Sequence, residues 1–186
     1  MNNIIDLSEV QKQNPEIFTR PNQYDHLGVS FSDEPEWISF DDIRRADRKE
    51  NNSGRPKQHT GPQLKALQDS FASGVQLWQE LPIVSKTKDP FVSENKPYNL
   101  EIGFGRDNAI GSNGETGYWH WIVQGERTQL NDMAAFENTQ KLLDTEFQTG
   151  EDGIEHHLKE LIEHNALAND EVEIEKKINQ VWPGLN

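Results

Sequence analysis

The chain has no cysteine. That excludes disulfide scaffolds, thiolate metal sites, cysteine nucleophiles and thiol redox chemistry, and leaves His, Asp and Glu as the metal-ligating residue types. Long apolar runs are missing too. Stretches such as Leu81-Pro82-Ile83-Val84 fall far short of the ~20 residues that span a bilayer, and no basic start followed by an apolar segment reads as an export signal. The expectation is no membrane contact and a reducing, cytoplasmic setting. Positive charge is scarce: 18 Lys and Arg stand against 32 Asp and Glu, a formal net charge of −14. A field of that sign opposes adhesion to nucleic acid, so contact with a polyanion has to be local. With 33% hydrophobic content in 186 residues, the core is lean and the prior is one domain with appendages.

Three segments emerge. Residues 1–36 form an acidic N-terminal arm punctuated by Pro15, Pro21 and Pro35, with one short helix expected around residues 7–13. Residues 37–143 carry the alternating strand and helix signals of an α+β domain. Residues 144–186 form an acidic helical C-terminal extension with amphipathic stretches at 154–167 and 171–181, a surface suited to a protein partner.

Within the middle segment, Trp37-Ile38-Ser39-Phe40 reads as a first strand, with a helical turn placing Ile43 after it. Thr60-Gly61-Pro62-Gln63 has a capping hydroxyl, a first-turn proline and a Gln three residues on, which predicts a helix running to about residue 72. Strands are expected at 81–84 and 98–102, joined as a hairpin by a long connection, and again at 119–123. A helix follows over 130–143. Gly125-Glu126-Arg127 is read as a turn.

Arg44, Arg45, Arg48, Lys49, Arg55 and Lys57 make one basic island in this acidic chain, spread over a stretch that contains Asn51-Asn52-Ser53-Gly54 and reads as a loop. It is the candidate nucleic-acid contact. Gly103-Phe104-Gly105-Arg106 runs from a strand into a helix, where glycines let backbone N–H groups approach a phosphate and an arginine supplies a bidentate fork. His120 lies between Trp119 and Trp121 and faces the opposite side of a strand from both, a candidate catalytic position. His157, Glu160 and His164 share a helical face, but His156-His157 and His164 lack the HExxH spacing, so these histidines are expected on a solvated surface.

The order of these elements resembles the N-terminal domain shared by ParB partition proteins, ParB-like nucleases and sulfiredoxins. The resemblance rests on the strand and turn 37–43, the helix 63–74, the strand 81–84, the segment 98–110 and Ala134-Ala135-Phe136-Glu137-Asn138-Thr139-Gln140-Lys141. It implies a ParB/sulfiredoxin-like fold with a small mixed sheet. It also implies that Gly103, Gly105 and Arg106 cradle the phosphates of a nucleoside triphosphate, CTP or ATP, with Asn138 and Lys141 contributing. Glu137 and Asn138 would hold Mg²⁺, and Glu137 would act as a catalytic carboxylate.

Phe104 stands where sulfiredoxins carry cysteine, which argues against sulfinic-acid reduction. Asp107 replaces a second arginine of the glycine motif, and Lys141 replaces an arginine, keeping charge but losing the planar fork. Too little chain follows residue 143 for a helix-turn-helix and a dimerisation module. The reading is a stand-alone ParB-like protein of a bacterial host, phage- or plasmid-encoded, acting on DNA or RNA as an NTP-dependent nuclease or NTPase. Phosphotransfer to a small hydroxyl substrate, as in a serine kinase, and an acidic DNA-mimicking inhibitor stand as alternatives.

Overall fold

The computed structural model describes residues 19–45, 61–72, 81–86, 96–143 and 149–185; at 70–72, 140–143 and 149–152 it describes the backbone alone. The expected helix at 7–13 and the basic positions Arg48, Lys49, Arg55 and Lys57 lie outside the described residues. The described chain is mixed α+β and groups into two compact units, one of residues 19–21, 31–45, 61–72, 81–86 and 96–124, the other of residues 22–30, 125–143 and 149–185. The division falls after Gln124, so the helix that follows it, counted in the sequence as the close of the middle segment, groups with the C-terminal helices.

The first unit is built on a six-stranded sheet with the order β1-β6-β4-β5-β3, and β2 also pairs with β6. The strands are β1 (Ser30–Phe31), β2 (Glu36–Ser39), β3 (Ile43–Arg44), β4 (Ile83–Lys86), β5 (Tyr98–Ile102) and β6 (Gly117–Gln124). A 3-10 turn, Phe40–Asp42, separates β2 from β3; Ser39 caps it by accepting from the Asp41 N–H. This is the strand and turn that the aromatic and β-branched run predicts. β4 and β5 form the expected antiparallel hairpin, whereas β4 runs parallel to β6 and β3 parallel to β5. The sheet is therefore small and mixed.

Strand β4 begins two residues later than its apolar run, at Ile83, because Pro82 has no N–H for the ladder. The Pro82 carbonyl still accepts from the Trp121 N–H at 3.0 Å. Helix α1 (Gly61–Ala72) and helix α2 (Phe104–Ser112) are the helices of this unit. The core beside them is Ile38, Ile43, Val84, Leu100 and Ile122, with Phe40, Tyr98 and Phe104 packed against it. Each such aliphatic side chain stabilises the fold by about 1.5–3 kcal/mol through burial.

The second unit contains a 3-10 turn (Asp25–Leu27), α3 (Arg127–Leu143), α4 (Thr149–Glu163) and α5 (Glu171–Val181). Helix α3 starts earlier than the sequence suggests because the Gln129 side chain accepts from the Glu126 N–H at 2.8 Å, one half of a capping box. Helix α4 stops at Glu163, short of the expected 167, because Asn165 turns left-handed at φ 57°. The Ala166 and Leu167 N–H groups then fold back onto the Leu161 carbonyl, as helix ends of this kind do. Asp170 caps α5 by accepting from the Val172 and Glu173 N–H groups. Among the described residues, no helix is long and apolar enough to cross a membrane.

Candidate functional site

The glycine segment sits where β5 ends and α2 begins. Gly103 is the N-cap of α2 with φ 102° and ψ 26°, and no side chain caps the helix start. A Cβ at Gly103 would lie 2.5 Å from the Pro82 Cβ and 3.7 Å from an Arg106 guanidinium nitrogen. Glycine is thus required twice over, by the left-handed backbone and by close approach to Pro82. Gly105 is buried and Arg106 is half-buried, both in the first turn. The first backbone N–H groups of a helix have no intrahelical acceptor, and the helix dipole adds partial positive charge there. Arg106 adds a full one. This end of α2 is chemically suited to an anion.

Behind it lies a pair that the sequence did not reveal. Asp107 and His120 are both 0% exposed, and the His120 Nε2 lies 2.9 Å from Asp107 Oδ2 and 3.2 Å from Oδ1. His120 Nδ1 lies 2.8 Å from the Tyr118 carbonyl oxygen. Strand alternation does turn His120 to the side of α2, as expected from its neighbours, but it meets an aspartate rather than an open space. Phe40 and Tyr118 pack edge-on against the imidazole. Burial pushes the Tyr118 phenol far above its usual range; the Arg106 charge pulls it back and the Asp107 charge adds to the rise. Arg106, Asp107, Tyr118 and His120 therefore form one electrostatic neighbourhood in the first unit.

Two further contacts shape its surroundings. Ser85 Oγ donates to Glu101 Oε1 at 2.5 Å across β4 and β5, both residues buried. Arg45, from the basic island, donates to Asn108 Oδ1 on α2 and stacks over Phe40, its guanidinium carbon 5.7 Å from the ring centroid. Arg44 lies in β3 rather than on a loop. The island thus begins on ordered structure beside α2.

The other expected site residues belong to the second unit. Glu137 is buried and Asn138 half-buried on α3; the Lys141 side chain is outside the described part. The histidines of α4 are split: His164 is exposed, with Nδ1 facing the Glu160 carbonyl at 2.8 Å, whereas His157 is 0% exposed. Its Nε2 lies 2.8 Å from Asp132 Oδ1, and Lys177 Nζ reaches Asp132 Oδ2 at 2.6 Å. The solvated reading of His157 is therefore corrected: α4 packs this face onto α3, and an acid from α3 partners the Nε2 of the imidazole. Asp132 ties α3, α4 and α5 together. Among the described residues, no group of three or more His, Asp or Glu is arranged to hold a metal ion.

No protein-family model matches this sequence, and no curated protein does. Solved structures do. A Pnob8-like ParB-N domain matches with a TM-score of 0.54 at 11% identity, over 82% of this chain and 62% of that one. The C-terminally truncated chromosome-partitioning protein ParB of Caulobacter crescentus, complexed to the centromeric parS site, matches with a TM-score of 0.46 at 14% identity, over 77% of this chain and 64% of that one. The chain thus spans less than two thirds of either. The ParB-N comparison shows that this chain shares the fold of a ParB-N domain.

Proposed function

We propose that the first unit binds a nucleoside triphosphate, CTP or ATP, by its phosphates at the start of α2, and that the protein uses this to act on nucleic acid. The observation that carries the reading is the helix start directly after β5, without a side-chain cap, with left-handed Gly103 as its N-cap and Arg106 in the first turn. The likeness of fold to a ParB-N domain supports it. In this reading the phosphate is held by the amides of residues 103–106 and by the Arg106 fork. Glu137 and Asn138, on α3 of the second unit, carry oxygen donors of the kind that Mg²⁺ takes. With both ring nitrogens engaged, His120 serves as a positioning residue in this reading. Arg44 and Arg45, with the basic positions that follow them, supply local contacts to the polymer backbone.

The test is a thermal-shift panel of CTP, ATP, ADP and GTP with Mg²⁺ on the parent and on Arg106→Ala. A ligand that binds only the native state raises the melting temperature. The expected result is a rise with at least one triphosphate that Arg106→Ala removes. A panel that leaves the parent unshifted would overturn the proposal.

A further inference from the structure

The position after Arg106 holds an acid, and a bare carboxylate beneath a phosphate site opposes the ligand. From the contacts of His120 we infer that Asp107 and His120 form a charge-neutral imidazolium–carboxylate pair, which cancels the Asp107 charge and keeps the start of α2 open to phosphate. For its effect on a ligand the inference rests on the function proposed above; for the protonation of the pair it stands alone.

A backbone carbonyl only accepts, so the 2.8 Å contact to Tyr118 requires a proton on His120 Nδ1. An ionised carboxylate also only accepts, so the 2.9 Å contact to Asp107 requires a second proton between Nε2 and Oδ2. With both groups 0% exposed, no bulk water substitutes for either partner. The common neutral imidazole beside a carboxylate has one proton and a net charge of −1; this geometry demands one more. Imidazole is the stronger base of the two groups. Asp107 also sits in the first turn of α2, where the helix dipole favours an anion. The second proton therefore rests on the ring, and the pair sums to zero. Phe40 packs edge-on at 6.3 Å and Tyr118 at 6.4 Å, which fixes the ring plane that makes both contacts.

This assigns His120 a role in electrostatics at a distance, acting on the ligand through Asp107. It also explains how an acid is tolerated one residue after the arginine of the glycine segment. His120→Gln retains a donor toward Asp107 but carries no charge, so it uncovers the carboxylate.

Two measurements test the inference. The first is imidazole nitrogen NMR on the ligand-free parent at neutral pH, with His120 assigned by comparison with His120→Gln. Two protonated ring nitrogens are expected, and one bare nitrogen would overturn the pair. The second is pyrophosphate binding by calorimetry to the parent, to His120→Gln and to His120→Gln/Asp107→Asn, each first shown by circular dichroism to be folded. The single variant should lose affinity by about tenfold or more, since an uncompensated charge acts in a weakly screened interior. The double variant, which removes that charge, should recover most of it. A single variant that binds as well as the parent, or a double variant that recovers nothing, would refute the role. If pyrophosphate fails to bind the parent while the nitrogen spectrum shows two protons, the nucleotide reading falls and the pair stands.

Discussion

Gly103 and Gly114 bracket α2 with φ of +102° and +88°, so alanine at either position must adopt a left-handed backbone. That strain costs about 1–2 kcal/mol. The two sites differ in what a Cβ would meet: nothing within 4 Å at Gly114, but the Pro82 Cβ at 2.5 Å and Cα at 3.0 Å at Gly103. Pro82 offers a ring and backbone rather than the end of a flexible chain, so the overlap adds the roughly 1–3 kcal/mol typical of overpacking. Gly103→Ala should therefore cost about 2–5 kcal/mol and Gly114→Ala about 1–2 kcal/mol. With a urea slope of roughly 2 kcal/mol per molar, the midpoint falls by about 1–2.5 M for the first and by less than about 1 M for the second. Urea titration followed by far-UV circular dichroism and tryptophan fluorescence reads both. Equal midpoints for the two variants would refute the claim that close approach to Pro82, rather than backbone angle alone, demands glycine at 103.

Other consequences are as direct. Asp132→Ala strands the His157 imidazole and the Lys177 ammonium that share its carboxylate, and breaking a buried pair costs about 3–5 kcal/mol. The melting temperature should fall by more than about 6 °C, and Asp132→Asn by less. Tyr118 provides a pH signature: burial raises its folded-state pKa above the ordinary value of 10.0. Its contribution is present in full below pH 10.0 and is lost as pH climbs toward the folded value, because the unfolded phenol ionises first. Tyr118→Phe should flatten alkaline destabilisation by one proton, measured by urea midpoints across that range. In the basic island, replacing Arg48, Lys49 and Arg55 by alanine should reduce the salt slope of nucleic-acid binding by about three units while nucleotide binding persists. An unchanged slope would show that these residues make no phosphate contacts.

Much of the first unit was legible because its signals are local. The aromatic and β-branched run at 37–40, the glycine segment after an apolar strand and the alternation around 119–123 each specify an element without help from distant residues. The order of those elements then carried the fold. What escaped the sequence depends on partners far along the chain. His120 and Asp107 pair across thirteen positions, as His157 and Asp132 do across twenty-five. Neither periodicity nor propensity encodes which acid meets which imidazole. His157 looked solvated because α4 is rich in charge, yet helical spacing put it on the stripe with Ile154 and Leu161, which are buried with it. That stripe was the available signal. Helix ends shifted for similarly specific reasons, the Gln129 cap and the left-handed Asn165, each of which outweighed the apolar pattern.

The central claim is that phosphate binds at the start of α2, and the most direct test is a crystal structure grown with CTP or ATP and Mg²⁺. The account predicts a phosphate group within hydrogen-bond distance, about 2.7–3.2 Å, of backbone N–H groups among residues 103–106 and of the Arg106 guanidinium. A nucleotide seated elsewhere on the molecule, with that helix start bare, would contradict it.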